Sequence, residues 1–334
     1  MKILAYGVGP VEVDAFNEFS EKYSHDVTRI KESFGPETAH LAEGYEGIST
    51  FGPCNVNKQA LEIISRFGIK YIAQRTSGYN NIDVEAASEL GIKVANVPAY
   101  SPNSVSEFTI GLALALTRNI PKVEKRMDMQ NFGLSGLLGR ELRKMTIGVI
   151  GTGRIGLMVI KVFAGFGCKI IAYDVYQNEE TKEYATYVSL DELYANADLI
   201  TLHTPLFDST AHMINDEAIA KMKDNVIIIN AARGGLIDTE ALLRGIKSGK
   251  ISKVAMDSYE NEIEYFHHDY TNKIVQDDTL ARLLQLPNVI VTPHCAFFTD
   301  EAVSNMVEIS LSNLKDFELT GTCKAELKLA KAVS

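Results

Sequence analysis

The sequence predicts an α/β protein of two doubly wound parallel-sheet domains, one inserted into the other, on three observations. Short β-like runs alternate with helical patterns almost throughout, as in parallel sheets covered by helices on both faces. A strand, a glycine-rich turn, a helix, a second strand and an acid follow one another, but only from Thr146 onward. The roughly 100 residues before the linking helix must therefore build a separate unit. Finally, two long helical patterns, Pro102–Arg118 and Thr299–Phe317, bracket the glycine-turn unit. If the chain crosses on the first and returns on the second, the first domain is discontinuous, residues 1–100 plus 300–334, with 101–299 as the inserted domain.

Along the first domain, strands are expected at Lys2–Tyr6, Gly47–Phe51, Tyr71–Gln74 and Lys93–Asn96. The helix after them is entered by Ser101-Pro102, with proline in the first turn, and Ser104-x-x-Glu107 has capping-box spacing. The inserted domain supplies strands at Thr146–Ile150, Lys169–Tyr173, Leu199–Leu202, Val226–Ile229, Val254–Met256 and Val289–Val291.

In Thr146-Ile-Gly-Val-Ile-Gly151-Thr-Gly153-Arg-Ile-Gly156, a buried strand runs into Gly-x-Gly-x-x-Gly and then a helix. Gly151 permits the tight turn, Gly153 lets a pyrophosphate approach the backbone, and Gly156 lets helix and strand pack closely. The pyrophosphate rests on the unsatisfied N–H groups of the helix N-terminus. The next strand ends at Asp174, whose carboxylate would bind a ribose 2′-hydroxyl and repel a 2′-phosphate. Val175-Tyr-Gln-Asn178 offers no Arg or Lys to reverse that preference. NAD is the expected cofactor.

Bulk composition excludes several classes. The 334 residues are 46% hydrophobic and 23% charged, with a net charge of −10, enough apolar content for two cores and no basic surface for nucleic acid. The N-terminal strand is followed by Glu12 and Asp14 rather than a signal-peptide pattern, and no apolar run reaches membrane-span length. Cys54, Cys168, Cys295 and Cys323 are scattered, without metal-ligand spacing, as expected of reduced thiols in a cytoplasmic protein.

Three chemically capable residues leave predicted strands at their C-terminal ends, where open α/β sheets bind ligands. Arg233 follows Val226-Ile-Ile-Ile-Asn-Ala-Ala, Asp257, Glu260 and Glu262 follow Val254-Ala-Met, and His294 follows Val289-Ile-Val-Thr-Pro. Reduction of a 2-oxo acid asks for this set. An arginine clamps the carboxylate and polarises the oxo group; a histidine gives that oxygen its proton; a carboxylate favours the protonated imidazole and fixes its tautomer. Singly, each has a plainer reading: Arg233 as a strand-end cation, His294 as a helix cap, the acids as solvated loop residues. Their joint placement downstream of a dinucleotide motif favours chemistry.

His203, in Leu202-His-Thr204-Pro205, follows a strand and is expected to line the cofactor cleft. His25, His40 and His212 read as surface or loop residues. His267-His268 lies on an insert with nothing to complete a metal site, so no metal is expected. Cys295 adjoins His294, but small-residue packing is its favoured role over chemistry.

Together these residues resemble the D-2-hydroxyacid dehydrogenase family over nearly the whole chain. The resemblance rests on Arg75-Thr-Ser77-Gly78-Tyr-Asn-Asn-Ile-Asp83, Val97-Pro-Ala-Tyr100-Ser-Pro, the glycine loop, His203-Thr-Pro-Leu206, Asn230-Ala-Ala-Arg233-Gly, Asp257-Ser-Tyr-Glu-Asn-Glu262 and Pro293-His294. Tyr100-Ser-Pro and the insert at about 261–280 look most like the D-lactate branch, which also holds D-2-hydroxyisocaproate, D-phenyllactate and D-2-hydroxyglutarate enzymes. The resemblance implies a Rossmann NAD-binding domain inserted into a flavodoxin-like substrate domain, and a homodimer paired through the nucleotide domains. By that resemblance Arg233 binds substrate, His294 is the acid/base and Glu262 its partner. Backbone N–H groups of Ser77 and Gly78 and the Tyr100 hydroxyl would contact the substrate carboxylate. Asp257 would hold the nicotinamide carboxamide, while Arg154, Ile155, Thr204, Pro205, Ala231 and Ala232 line the dinucleotide.

For the substrate side chain, Phe51 stands where hydroxyglutarate enzymes carry an arginine, which would leave a second carboxylate unpaired. Ala296-Phe297-Phe298 replaces the Phe-Tyr of many lactate enzymes and makes a drier pocket. Pyruvate is the first expectation, with phenylpyruvate or branched oxo acids as alternatives and overlap between them. A more distant alternative is a non-catalytic, NAD-sensing regulator on the same fold.

Overall fold

The computed structural model describes residues 1–328. In chain order it runs β1 (Lys2–Ala5), α1 (Val13–Tyr23), β2 (Asp26–Arg29), β3 (Gly47–Thr50), α2 (Lys58–Arg66), β4 (Tyr71–Gln74), α3 (Val84–Glu89) and β5 (Lys93–Ala95). There follow α4 (Pro102–Thr117), α5 (Ile120–Asp128), β6 (Thr146–Ile150), α6 (Arg154–Gly165), β7 (Lys169–Tyr173), β8 (Thr186–Tyr187), α7 (Leu190–Asn196) and β9 (Leu199–Leu202). The remainder is α8 (Asp216–Lys221), β10 (Val226–Asn230), α9 (Thr239–Lys247), β11 (Ile251–Met256), α10 (Asp278–Gln285), β12 (Val289–Val291) and α11 (Asp300–Thr320). Backbone contacts divide the chain into two compact units, Met1–Ser101 with the segment from Phe298 onward, and Pro102–Phe297.

The first unit holds a five-stranded sheet of order β2-β1-β3-β4-β5, every pair parallel. This is the flavodoxin-like order, with its reversal between β1 and β3. Side chains alternate across it. Leu4, Ile48, Ile72 and Val94 enter one core with Leu61 and Ile64 of α2. Ile3, Ala5, Ala73 and Ala95 enter the other, beneath Phe16 of α1 and Leu311 and Leu314 of α11. β2 was not foreseen because Asp-Val-Thr-Arg is a polar edge strand with no residue fully buried.

The second unit holds seven parallel strands in the order β12-β11-β10-β9-β6-β7-β8. The order reverses between β6 and β9, the doubly wound dinucleotide topology. β9 and β10 are buried at every position, which is why they read as unbroken apolar runs. Ile150, Leu202, Ile228 and Val254 face one core, and Val149, Leu199, Ile227, Ile229 and Ala255 the other. β8, only two residues long, is the edge strand that the sequence pattern did not reveal.

The helices start and stop for local reasons. Asn57, Ser189, Asn215, Asp238 and Thr299 each accept a backbone N–H as side-chain N-caps of α2, α7, α8, α9 and α11, and losing such a cap typically costs about 1 kcal/mol. α11 ends at Gly321, which takes the left-handed conformation. The expected capping box at Ser104 does not start α4: the helix already begins at Pro102, and Ser104 lies buried inside its first turn. His25 also departs from expectation. It is buried, with Nε2 3.2 Å from the Leu311 carbonyl, and burial lowers its pKa. Among the described residues no helix is long and apolar enough to cross a membrane.

Candidate active site

The reversal between β6 and β9 brings the glycine loop against the His203-Thr204-Pro205 segment. Gly151 has φ +92°, and a Cβ there would stand 2.6 Å from the His203 carbonyl carbon and 2.7 Å from the Thr204 nitrogen. A Cβ on Gly156 would lie 1.9 Å from the Gly151 oxygen, so only glycine lets α6 start this close to the strand end. A Cβ on Gly153 would meet nothing within 4 Å; that side of the loop is open space for a phosphate. Arg154 and Ile155 form the first turn of α6, whose N-cap is Gly153.

Asp174, at the end of β7, is bound to the loop. Oδ2 accepts from the Thr152 N–H at 2.6 Å and its hydroxyl at 3.1 Å, and Oδ1 accepts from the Tyr176 N–H at 3.0 Å. A carboxylate has about four acceptor positions, so a ribose hydroxyl can still be received. The loop and its acid fit an NAD-type dinucleotide.

His203 follows β9, where the sequence placed a residue of the cofactor cleft. Its backbone meets the loop, while its ring turns inward, Nε2 2.9 Å from Thr201 Oγ1 and Nδ1 buried with no partner among the described residues. Burial lowers its pKa to about 3, which keeps it neutral. Thr204 and Pro205 continue this segment, and the Pro205 carbonyl accepts from Thr210 at 2.8 Å.

The three neighbouring strands β10, β11 and β12 carry the candidate chemistry at their C-terminal ends. His294 Nδ1 lies 2.7 Å from Glu262 Oε1, and Glu262 Oε2 is held by the Tyr259 N–H at 2.8 Å. A carboxylate only accepts, so Nδ1 carries the hydrogen and Nε2 is left for proton exchange. Glu260 is engaged elsewhere, with His212 and with the Thr239 hydroxyl at 2.7 Å. Both side chains of the Glu262–His294 pair are partly exposed, 21% and 30%.

Arg233 leaves β10 through Ala231 and Ala232. Asn230 braces this bend, accepting from the Ala232 N–H and donating to the Arg233 carbonyl. Arg233 is half-buried, and Nη1 donates to the Ala232 carbonyl at 2.7 Å; among the described residues it has no carboxylate partner. Gly234 allows the bend to press on the next strand's loop, since a Cβ there would be 2.1 Å from the Tyr259 carbonyl carbon.

Asp257 does more than the sequence suggested. It is 1% exposed, and its oxygens accept from the Thr292 hydroxyl at 2.5 Å, the Cys295 N–H at 2.9 Å and the Ala296 N–H at 2.8 Å. It therefore organises the turn that presents His294, with about one acceptor position left for a carboxamide. Burial, and then the Asp257 carboxylate, push the Cys295 thiol up to about 11, so Cys295 stays protonated and unreactive. Among the described residues no group of three or more His, Cys, Asp or Glu is arranged to hold a metal ion.

In the first unit, Phe51, Ser77, Gly78 and Tyr100 all follow C-terminal strand ends. Phe51 leaves β3 with its ring 5.6 Å from the buried Arg75 guanidinium, which also bonds Glu12 at 2.8 Å. Asn96 holds the Ser77 carbonyl at 2.7 Å, and Gln74 and Thr76 hold that of Gly78. The Tyr100 carbonyl accepts from Asn305 at 2.7 Å, and Phe298 is 55% exposed.

A glycine loop at a sheet reversal, with an oriented Glu–His pair and an arginine on adjacent strand ends, defines a nicotinamide-dependent dehydrogenase. Residues 110–296 match the family model described as the D-isomer-specific 2-hydroxyacid dehydrogenase NAD-binding domain. An aromatic 2-oxoacid reductase of Clostridium sporogenes is 64% identical over 325 residues, 97% of this chain and 98% of that one. The structure of a D-2-hydroxyisocaproate dehydrogenase matches with TM-score 0.91 at 38% identity, covering 98% of this chain and 99% of the other. A D-lactate dehydrogenase from Treponema pallidum matches with TM-score 0.91 at 34% identity, covering 98% and 100%. The chain belongs to the D-isomer-specific 2-hydroxyacid dehydrogenase family, and NAD is its cofactor.

Proposed function

We propose that this enzyme reduces aromatic 2-oxo acids to the D-2-hydroxy acids, reversibly, with Arg233, Glu262 and His294 as its catalytic residues. The observation that carries the reading is the Glu262–His294 hydrogen bond of 2.7 Å, which leaves Nε2 to exchange a proton. Arg233 clamps the substrate carboxylate with two parallel N–H bonds and polarises the oxo oxygen. His294 delivers its Nε2 proton to that oxygen and takes it back in the reverse direction. Glu262 offsets the imidazolium charge and fixes the ring. Bound NADH supplies the hydride.

Gly151, Gly153, Arg154, Ile155 and Gly156 hold the pyrophosphate, and Asp174 the ribose. Thr204, Pro205, Ala231, Ala232 and the backbone of His203 line the remainder, with Asp257 at the carboxamide. The N–H groups of Ser77 and Gly78 and the Tyr100 hydroxyl receive the substrate carboxylate, with Phe51 and Phe298 as walls.

The aromatic preference rests on the 64% identity to an aromatic 2-oxoacid reductase and on the aromatic rings at Phe51 and Phe298. Pyruvate is the second reading, supported by the similarity to D-lactate dehydrogenases. NADH oxidation with phenylpyruvate and pyruvate in parallel decides between them: a higher kcat/KM for phenylpyruvate is expected, and one for pyruvate would make lactate the product. The enzyme is further proposed to be a cytoplasmic homodimer, in keeping with four free cysteines and the exposed apolar run Met127, Met129, Phe132, Leu134 and Leu138. A monomeric mass by light scattering would remove the dimer.

A further inference from the structure

We propose that His267 is a positioning residue for the acid/base His294, pinning the peptide unit that follows it; this rests on the reading of His294 given above. His267 lies on the insert after β11, exposed, and its Nε2 stands 3.2 Å from the His294 carbonyl oxygen. A carbonyl only accepts, so Nε2 of His267 carries a hydrogen and donates it. The other end of the same peptide, the Cys295 N–H, donates to Asp257 Oδ1 at 2.9 Å.

The His294–Cys295 peptide is thus held at both poles, by an exposed imidazole on one side and a buried carboxylate on the other. The peptide before it is held too, through the His294 N–H and the Thr292 carbonyl at 2.9 Å. Such restraint is needed because His294 takes φ +52°, a conformation a non-glycine residue leaves unless its surroundings impose it. His267 takes φ +66°, so the insert is itself bent to deliver this ring. The rings also pack: His267, His294 and Phe297 form a triangle with centroids 6.4 to 6.5 Å apart.

Glu262 fixes the direction of the His294 ring, whereas His267 and Asp257 fix the backbone from which it projects. Loss of the His267 bond lets the peptide rotate and moves Nε2 away from the proton it must transfer. Catalysis should suffer more than binding, because the displaced group acts in the transition state.

The test compares His267→Phe, which keeps a flat ring without the donor, with His267→Gln, whose Nε2 reaches a similar place. His267→Ala is a second donor-free variant should the phenyl ring misfit. Each is measured with NADH and the preferred oxo acid for kcat, KM, NADH affinity and Tm, with His294→Gln in parallel. The expected result is a kcat lowered about tenfold in the donor-free variants, with KM, NADH affinity and Tm unchanged, and recovery in His267→Gln. Unchanged kcat in the donor-free variants, or equal loss in His267→Gln, overturns the proposal while an inactive His294→Gln leaves the acid/base reading intact. An active His294→Gln overturns that reading and this inference with it.

Discussion

In the seven-stranded sheet, the loop after β6 and the turn after β12 both lie at C-terminal strand ends, yet contacts of different range shape them. The glycine loop is set by its own short sequence. Gly151 takes a left-handed φ, Gly156 admits the Gly151 carbonyl, and Asp174 at the end of the next strand accepts from Thr152. The histidine turn owes its shape to side chains that the chain brings from elsewhere. Asp257 grips Thr292, Cys295 and Ala296, and Glu262 orients the imidazole. A loop that binds with its backbone needs absences of side chains, which are local. A turn that presents a side chain needs partners for a strained backbone, and those can be distant.

The contrast can be broken from either side. His294→Gln should lower kcat about a thousandfold with NADH affinity kept, since one acid/base group supplies about 10²–10⁴; fluorescence titration and steady-state rates read the two separately. Gly156→Ala should do the converse. Its methyl would stand 1.9 Å from the Gly151 oxygen, so NADH binding is lost in the same titration while the turn at His294 keeps its bonds.

Asp257→Ala sharpens the comparison, because it leaves His294 and Glu262 in the chain and removes only the support. A fall in kcat of about a hundredfold is expected, whereas a shift confined to NADH KM would assign Asp257 to the carboxamide alone. Asp174→Ala should raise KM for NADH about tenfold and admit NADPH, whose 2′-phosphate the carboxylate repels; an unchanged NADH-to-NADPH ratio in kcat/KM would refute that role.

The smallest effect concerns stability. Burial holds the folded-state pKa of His203 near 3, below its ordinary 6.5. The unfolded chain therefore binds the proton first, and stability falls as pH drops from about 6.5 toward 3. At pH 5 this amounts to at most about 2 kcal/mol. Urea unfolding at pH 7 and pH 5 should show a smaller difference in His203→Gln than in the natural sequence.

Much of this site was legible before any fold was seen. The glycine spacing, Asp174, and the placement of Arg233, Glu262 and His294 after apolar strands follow from strand periodicity and from where open sheets bind ligands. The edge strands β2 and β8 were not, because a strand paired on one side need not be apolar. His267 looked like a loop residue on an insert, since nothing in its neighbours announces that its ring meets the His294 carbonyl.

The sequence by itself determined the alternation of strands and helices, the glycine loop and the placement of Arg233, Glu262 and His294 after apolar strands, because hydrophobic period and glycine sterics act over a few residues. Only the tertiary structure decided that Glu260 is taken up by His212 and Thr239, that the His203 ring turns inward, and that Asp257 braces the histidine turn. Hydrogen bonds between distant loops are chosen by how the strand ends come together, and that is a property of the packed sheet.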